Sequence, residues 1–283
     1  MRSKGPSGPF FVYHQCMLPS DSYSQLAYIA TALIFALCIA AETFAPRREP
    51  GPHTAWRWLN NLGLSGLTWY LNLLLGTLFI TWLAGWSHLN ELGLLARLGT
   101  GPVLSGLLLL LVIEFINYWV HYTFHRFPLL WRLHAVHHTD TDIDVTTSFR
   151  HHPVEALATL PIFAPVALFM GAPMEVAMAV HLFSISATVF SHSNVAIPAT
   201  AEKILRRIIL TPDFHRVHHC SEQTFTNSNY GSVVPWFDYL FGTARTRPVN
   251  EQQDMELGLE YMRQTRDSRL DQMIVAPLRT PEV

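Results

Sequence analysis

The stretch Pro102-Val-Leu-Ser-Gly-Leu-Leu-Leu-Leu-Leu-Val-Ile-Glu-Phe-Ile-Asn-Tyr-Trp-Val-His-Tyr-Thr-Phe-His125 decides the fold. From Pro102 to Val120 it carries one charge, Glu114. A run of that length and apolarity predicts a membrane-crossing helix, because about 20 residues span roughly 30 Å of hydrocarbon. It ends on an HxxxH pair, His121 and His125, where the apolar run leaves the bilayer. Residues at i and i+4 share a helix face with Cβ atoms about 6 Å apart, so these two imidazoles can grip one metal ion. Glu114, Asn117 and His121 fall on one helical stripe. A carboxylate inside a span is expensive and marks Glu114 as a candidate to orient a ligand histidine. A polar helix–helix contact is the competing reading.

Outward from this stretch the same segregation of charge recurs. Leu62 to Asn90 holds no Asp, Glu, Lys or Arg, Leu26 to Ala45 holds only Glu42, and Ala156 to Ala201 holds only Glu175. We predict spans at about 26–44, 64–86 and 102–122. An apolar hairpin follows, about 155–170 and 174–191, turning on Gly171-Ala172-Pro173. Its arms are short and the first contains Pro161 and Pro165, so full crossing and re-entry both stay open. The expected fold class is all-α: an integral membrane helical bundle with a cytoplasmic helical cap holding a dimetal histidine cluster. The expected organisation is an N-terminal segment with two spans (1–101), a catalytic domain (102–245) and a charged cytoplasmic tail (246–283). Residues 245–283 hold 13 of the 40 charged residues.

Composition agrees. Hydrophobic types make up 49% of the 283 residues and charged types 14%, where a soluble domain carries about 25%. A disordered chain is excluded, and a net charge of −2 gives no reason to expect nucleic acid. Cys16, Cys38 and Cys220 lie too far apart for a disulfide framework or a Cys-rich zinc site. The first 25 residues, with Pro6, Pro9, Pro19 and Asp21, do not read as a cleavable leader. Arg47, Arg48 and Arg57, then Arg126, Arg132 and Arg150, then Lys203, Arg206 and Arg207 all fall on one side if the N-terminus is outside. That places the histidine-bearing face in the cytoplasm. Seventeen of 19 basic residues are Arg, a bias that suggests a bacterial inner membrane, or the endoplasmic reticulum if the source is eukaryotic.

The chain has 15 histidines, and ten lie in two windows, 121–152 and 215–219. After the HxxxH come two HxxHH groups: His134, His137 and His138, and then His215, His218 and His219. A lone HxxxH means little, but three groups at one membrane face are unlike scattered core histidines. Eight imidazoles exceed what one ion takes and fit two ions that keep open positions. Imidazole alone does not name the metal.

Four stretches resemble the fatty acid hydroxylase/sterol desaturase superfamily. They are Leu130-Trp-Arg-Leu-His-Ala-Val-His-His-Thr-Asp140, Thr147-Ser-Phe-Arg-His-His-Pro-Val-Glu155, Phe190-Ser-His-Ser-Asn194, and Pro212-Asp-Phe-His-Arg-Val-His-His219 with Asn229-Tyr-Gly231 and Trp236-Phe-Asp-Tyr-Leu-Phe-Gly-Thr243. The resemblance spans about 105–245. It implies a histidine-held diiron centre that uses O2 to oxidise an unactivated C–H bond of a membrane lipid such as a sterol or fatty acyl chain, by hydroxylation or desaturation. It implies His121, His125, His134, His137, His138, His192, His215, His218 and His219 as ligands. Zinc can replace iron on purification. His152 matches the histidine of the family's Arg-x-His-Pro-x-Glu segment and joins Glu155 and Asp238 as a supporting candidate; His151, a neighbour rather than a ligand, is like His152 a supporting or substrate-side candidate. His181 is expected to make an interior polar contact, and His14, His53 and His88 to be ordinary. The acidic run Asp140, Asp142 and Asp144 is expected to be a solvated loop.

No Rossmann glycine fingerprint, CxxC pair or haem signature stands in the sequence, so an external electron donor is expected, either a redox protein or, as in the alkylglycerol monooxygenase branch, a reduced pterin. A zinc hydrolase would put a Glu inside a histidine box, as in HExxH, and none of the boxes has one. A non-enzymatic metal carrier would string its ligands along the spans or into a flexible tail.

Overall fold

The computed structural model describes residues 21–76, 78–79 and 93–279. His14, His88, the first 20 residues and most of the outer half of the expected span at 64–86 lie outside the described residues. Those described form an all-helical body without a β-strand, as the long charge-free runs predict. In chain order come α1 (Asp21–Phe44), α2 (Thr54–Leu71, continued by a π turn at Asn72–Gly76), α3 (Leu94–Arg97) and α4 (Pro102–Arg126). Then follow α5 (Pro128–His138), α6 (Pro153–Met170), α7 (Met174–His192), α8 (Ala199–Leu205), α9 (Pro212–His218), α10 (Gln223–Thr226), α11 (Trp236–Phe241) and α12 (Leu270–Arg279).

Three helices, α4, α6 and α7, are long and apolar enough to cross a membrane. The two hairpin arms therefore reach crossing length, at 18 and 19 residues. Pro161 and Pro165 do not break α6, whose helix runs on through both. Prolines are tolerated in spans where neighbouring helices satisfy the freed backbone groups. The apolar part of α1, Ile29–Phe44, is shorter. Gly171 closes the hairpin turn with φ +58°, and a Cβ there would collide with the Gly93 Cα, so only glycine fits. Leu37, Trp69, Val103, Leu107 and Phe169 point outward as an apolar surface suited to lipid.

Proline sits in the first turn of α4, α5, α6 and α9, where its missing N–H goes unused. Two of these, α5 and α9, are short helices that begin at their proline. α5 packs on α4, α9 on α7, and α12 on α5 and α2.

The charged segment after Arg245 packs on the helical body. Met255 and Leu257 pack with Ile143 and Cys220, Leu259 with Trp131 and Ala135, and Met273 and Ala276 with Leu64 and Val136. Apolar residues at every second position (Met255, Leu257, Leu259) give this charged segment one buried edge.

The acidic run is not a solvated loop. Asp140 is fully buried and takes a bidentate pair of bonds from Arg57 at 2.6 and 3.0 Å. Asp144 is also buried and accepts from Arg57 at 2.9 Å and from the Trp58 indole at 2.8 Å. Arg150 extends the network, donating to the Asn61 amide oxygen, the Val136 carbonyl and the Thr139 hydroxyl. These bonds tie the start of α2 to the end of α5, where His137 and His138 sit.

Candidate metal centre

The nine histidines carried over from the family pattern converge from α4, α5, α7 and α9. They separate into two groups. His121, His125, His134, His138 and His218 form one; His137, His192, His215 and His219 form the other. Within each group the candidate ligand atoms lie within 4.8 Å of one another. The HxxHH spacing explains the split: on α5, His134 and His138 share a face while His137 points to the other group. The α9 box divides the opposite way, with His218 alone in the first group.

The local hydrogen bonds decide which ring nitrogens are free. His121 Nδ1 donates to the Tyr230 carbonyl at 2.9 Å, and His134 Nδ1 donates to Glu155 Oε1 at 2.8 Å. Both Nε2 atoms then carry bare lone pairs, yet they face each other at 3.0 Å. The Nε2 atoms of His192 lie 3.2 Å from those of His137 and 3.0 Å from those of His215. Between His121 and His134, whose Nδ1 protons are committed, such a contact repels unless a cation lies between the rings. Ligand nitrogens about 2.1 Å from one ion are separated by about 3.0–3.4 Å, which matches. His125 Nε2, His218 Nε2 and both ring nitrogens of His138 are buried without a hydrogen-bond partner. Each would cost about 1–3 kcal/mol if left so. The donor set therefore fits two metal ions.

Electrostatics keep the rings ready to bind. Burial, then the neighbouring imidazoles, push His137, His138, His215 and His219 well below the ordinary imidazole range. The same causes hold His218 at about 3. Neutral imidazole is the metal-binding form.

Supporting groups are of two kinds. Backbone carbonyls hold three ring N–H groups: Tyr230 for His121, Thr188 for His192 at 2.8 Å and Ser228 for His218 at 2.6 Å. Glu155 is the carboxylate partner, accepting from His134 and, at 3.1 Å, from His151. Outer partners of this kind typically change metal affinity 10–100-fold. We expect Glu155→Gln to weaken metal retention by that factor, measured by chelator competition, with little change in melting temperature.

The remaining candidates act at a distance or elsewhere. Asp238 touches no histidine. It accepts from the Tyr230 and Gly231 amides at 2.7 and 2.8 Å and so holds the loop whose carbonyl orients His121. Burial raises its carboxyl to about 6. Glu114 also misses the histidines, accepting instead from the Val233 amide at 2.6 Å and from Asn117. It clamps the same loop to α4. His152 is turned away, with Nδ1 capping α6 at the Val154 amide and Nε2 bonded to the Ile274 carbonyl. His181 is exposed on α7 rather than making the interior contact expected of it. His53 lies ahead of α2, outside the groups. His151, a supporting or substrate-side candidate, stands beside the second imidazole group. Its ring stacks on His137 with centroids 4.4 Å apart and lines the cavity. Its position four residues before Glu155, in a capping turn, was the available signal.

That cavity has a volume of about 500 Å³ and opens beside the histidines. Trp69 from α2, Val120 and Phe124 from α4, Phe149, and Ala156 and Phe163 from α6 form its apolar walls. His121, His134, His137, His192 and His215 lie along the same space.

Comparison with known proteins agrees with the site. The fatty acid hydroxylase family matches residues 106–243, the segment that contains every box. The chain is 31% identical over 132 residues to human alkylglycerol monooxygenase, covering 46% of this chain and 28% of that protein. It is 30% identical over 139 residues to the ornithine lipid hydroxylase OlsE of Rhizobium tropici, covering 49% and 41%. It is 29% identical over 201 residues to the very-long-chain aldehyde decarbonylase GL1-5 of Oryza sativa subsp. indica, covering 66% and 29%. The matched segments thus take in well under half the length of these relatives. No solved structure matches the chain. Both imidazole groups lie within the segment that matches the fatty acid hydroxylase family. That segment belongs to the fatty acid hydroxylase superfamily, and the chain is an integral membrane protein.

Proposed function

We propose that this chain oxidises an unactivated C–H bond of a membrane lipid with O2, using two iron ions held by the nine histidines. The observation that carries this reading is the pair of convergent imidazole groups, with bare nitrogens, beside an apolar cavity at the ends of membrane helices. His121, His125, His134, His138 and His218 would hold one ion; His137, His192, His215 and His219 would hold the other. Bound iron would supply O2 activation, which the amino-acid side chains cannot provide.

The chain's own residues do the rest. α2, α4 and α6 form an apolar slot that takes an alkyl chain from the bilayer and excludes water. Holding one methylene close to the histidines removes the entropy of finding that geometry. Glu155 keeps the His134 proton on Nδ1 and so leaves Nε2 to the metal. The clustering of Arg47, Arg48, Arg126, Arg132, Arg206 and Arg207 supports a cytoplasmic metal face. Electrons come from a separate donor, a redox protein or a reduced pterin. A second reading, oxidation of an ether lipid, is favoured by the similarity to human alkylglycerol monooxygenase.

Lipid mass spectrometry of cells with and without the gene tests the activity. A +16 shift on one lipid class indicates hydroxylation and a −2 shift indicates desaturation. An unchanged lipidome in cells holding iron-loaded, folded protein would sink the proposal.

A further inference from the structure

A second cavity, of about 600 Å³, lies away from the histidines between α8, α11 and residues 247–249. Lys203, Arg206, Arg207 and Arg247 line it, together with Tyr239, and no carboxylate does. Two of the four cations are already engaged: Arg206 by the buried Glu202, and Arg247 by Glu222. Lys203 and Arg207 are exposed and make no ion pair among the described residues. Two fixed and two free cations therefore face one groove.

The surroundings place this groove at the membrane surface. α11 packs along the span α4, with Phe237 5.4 Å from Phe115 and Phe241 5.0 Å from Trp119. The same region exposes Ile204, Ile208, Trp236 and Leu240, at 60, 60, 48 and 70%. The Trp236 indole donates to the Arg207 carbonyl at 2.9 Å, which locks the aromatic ring beside the free cations. Exposed aliphatic side chains beside tryptophan, tyrosine and cations are the composition of a helix lying at the headgroup level. An acidic soluble protein would match the charge but leave the apolar rim in water. An anionic lipid matches both.

We propose that this groove binds the phosphate headgroup of an anionic phospholipid, with Lys203 and Arg207 as its contacts and the Ile204–Leu240 surface against its acyl chains. This site is independent of the metal centre and does not rest on the reaction assigned to it.

Delipidated full-length protein in detergent, offered equal amounts of phosphatidylglycerol and phosphatidylcholine, gives the test by native mass spectrometry. Phosphatidylglycerol should be retained preferentially. Each cation near an anionic headgroup contributes about fivefold. K203Q should therefore lower retention about fivefold and K203Q/R207Q about 25-fold, while R269Q, a distant surface change, leaves it unaltered. Equal retention of the two lipids, or unchanged retention in K203Q/R207Q, overturns the proposal. So does displacement of the lipid by millimolar inorganic phosphate, which would indicate a free-anion site. If K203Q/R207Q keeps phosphatidylglycerol but loses an acidic protein partner, the groove is a protein interface and the proposal is again overturned.

Discussion

His218→Ala should leave the purified protein with one metal ion instead of two, and His215→Ala should do the same by emptying the other position. The two rings lie three residues apart on α9, yet they belong to different imidazole groups. A single ion served by all nine histidines would make both substitutions equivalent, and both would remove everything. With two ions, each variant loses the ion of its own group first. The four-histidine group has less redundancy, so His215→Ala should empty its position more completely than His218→Ala empties the five-histidine group. Loss of an outer partner changes activity 10–100-fold, so loss of a direct ligand should lower lipid oxidation by at least about 100-fold. Metal analysis beside an activity assay on the same preparations reads both effects. A fully loaded and active His218→Ala protein would contradict the ligand assignment.

Arg57→Met should destabilise the protein by about 3–5 kcal/mol, the usual penalty for stranding one member of a buried ion pair. Arg57 and Asp140 have 4 and 0% of their side chains exposed and are joined by two hydrogen bonds. Burial alone would raise the Asp140 carboxyl; Arg57 and Arg150 outweigh it and hold it at about 2. A carboxyl depressed in this way contributes stability above its unfolded value near 4, and that stability is lost as pH falls toward 2. Asp140→Asn should cost less than Arg57→Met, because Asp144 still faces the guanidinium. The double variant should cost less than the two single changes together, since Asp140 is then no longer stranded and only Asp144 loses its partner. Because Arg150 links this network to the Val136 carbonyl, the single variants should also loosen metal binding at His137 and His138. Detergent-phase unfolding of all three proteins measures the coupling; strict additivity would mean that the pair does not act as a unit.

Much of this was legible in the sequence for definite reasons. Charge-free runs reveal apolar helices, and HxxxH and HxxHH spacing reveals which imidazoles share a helix face. The resemblance added His192, which by spacing alone is an ordinary helix-end histidine. What stayed hidden depends on contacts far apart in the chain. The pairing of Arg57 with Asp140 closes across 83 residues, so the acidic run looked solvated. Three of the ring N–H partners are backbone carbonyls, at Tyr230, Thr188 and Ser228, which no residue type announces. Glu114 and Asp238, expected to orient ligand imidazoles, instead act on the backbone of the 230–234 loop. The position of His151 against His137 depends on the turn before α6, which local pattern does not fix.

Iron content per chain is the most direct test of the two-metal reading. Full-length protein purified in detergent, stripped with chelator and reconstituted anaerobically with ferrous iron, should hold two ions per chain by plasma mass spectrometry. The His215→Ala/His218→Ala double variant should hold almost none. A wild-type value of one ion per chain, or two ions retained by the double variant, would contradict the assignment.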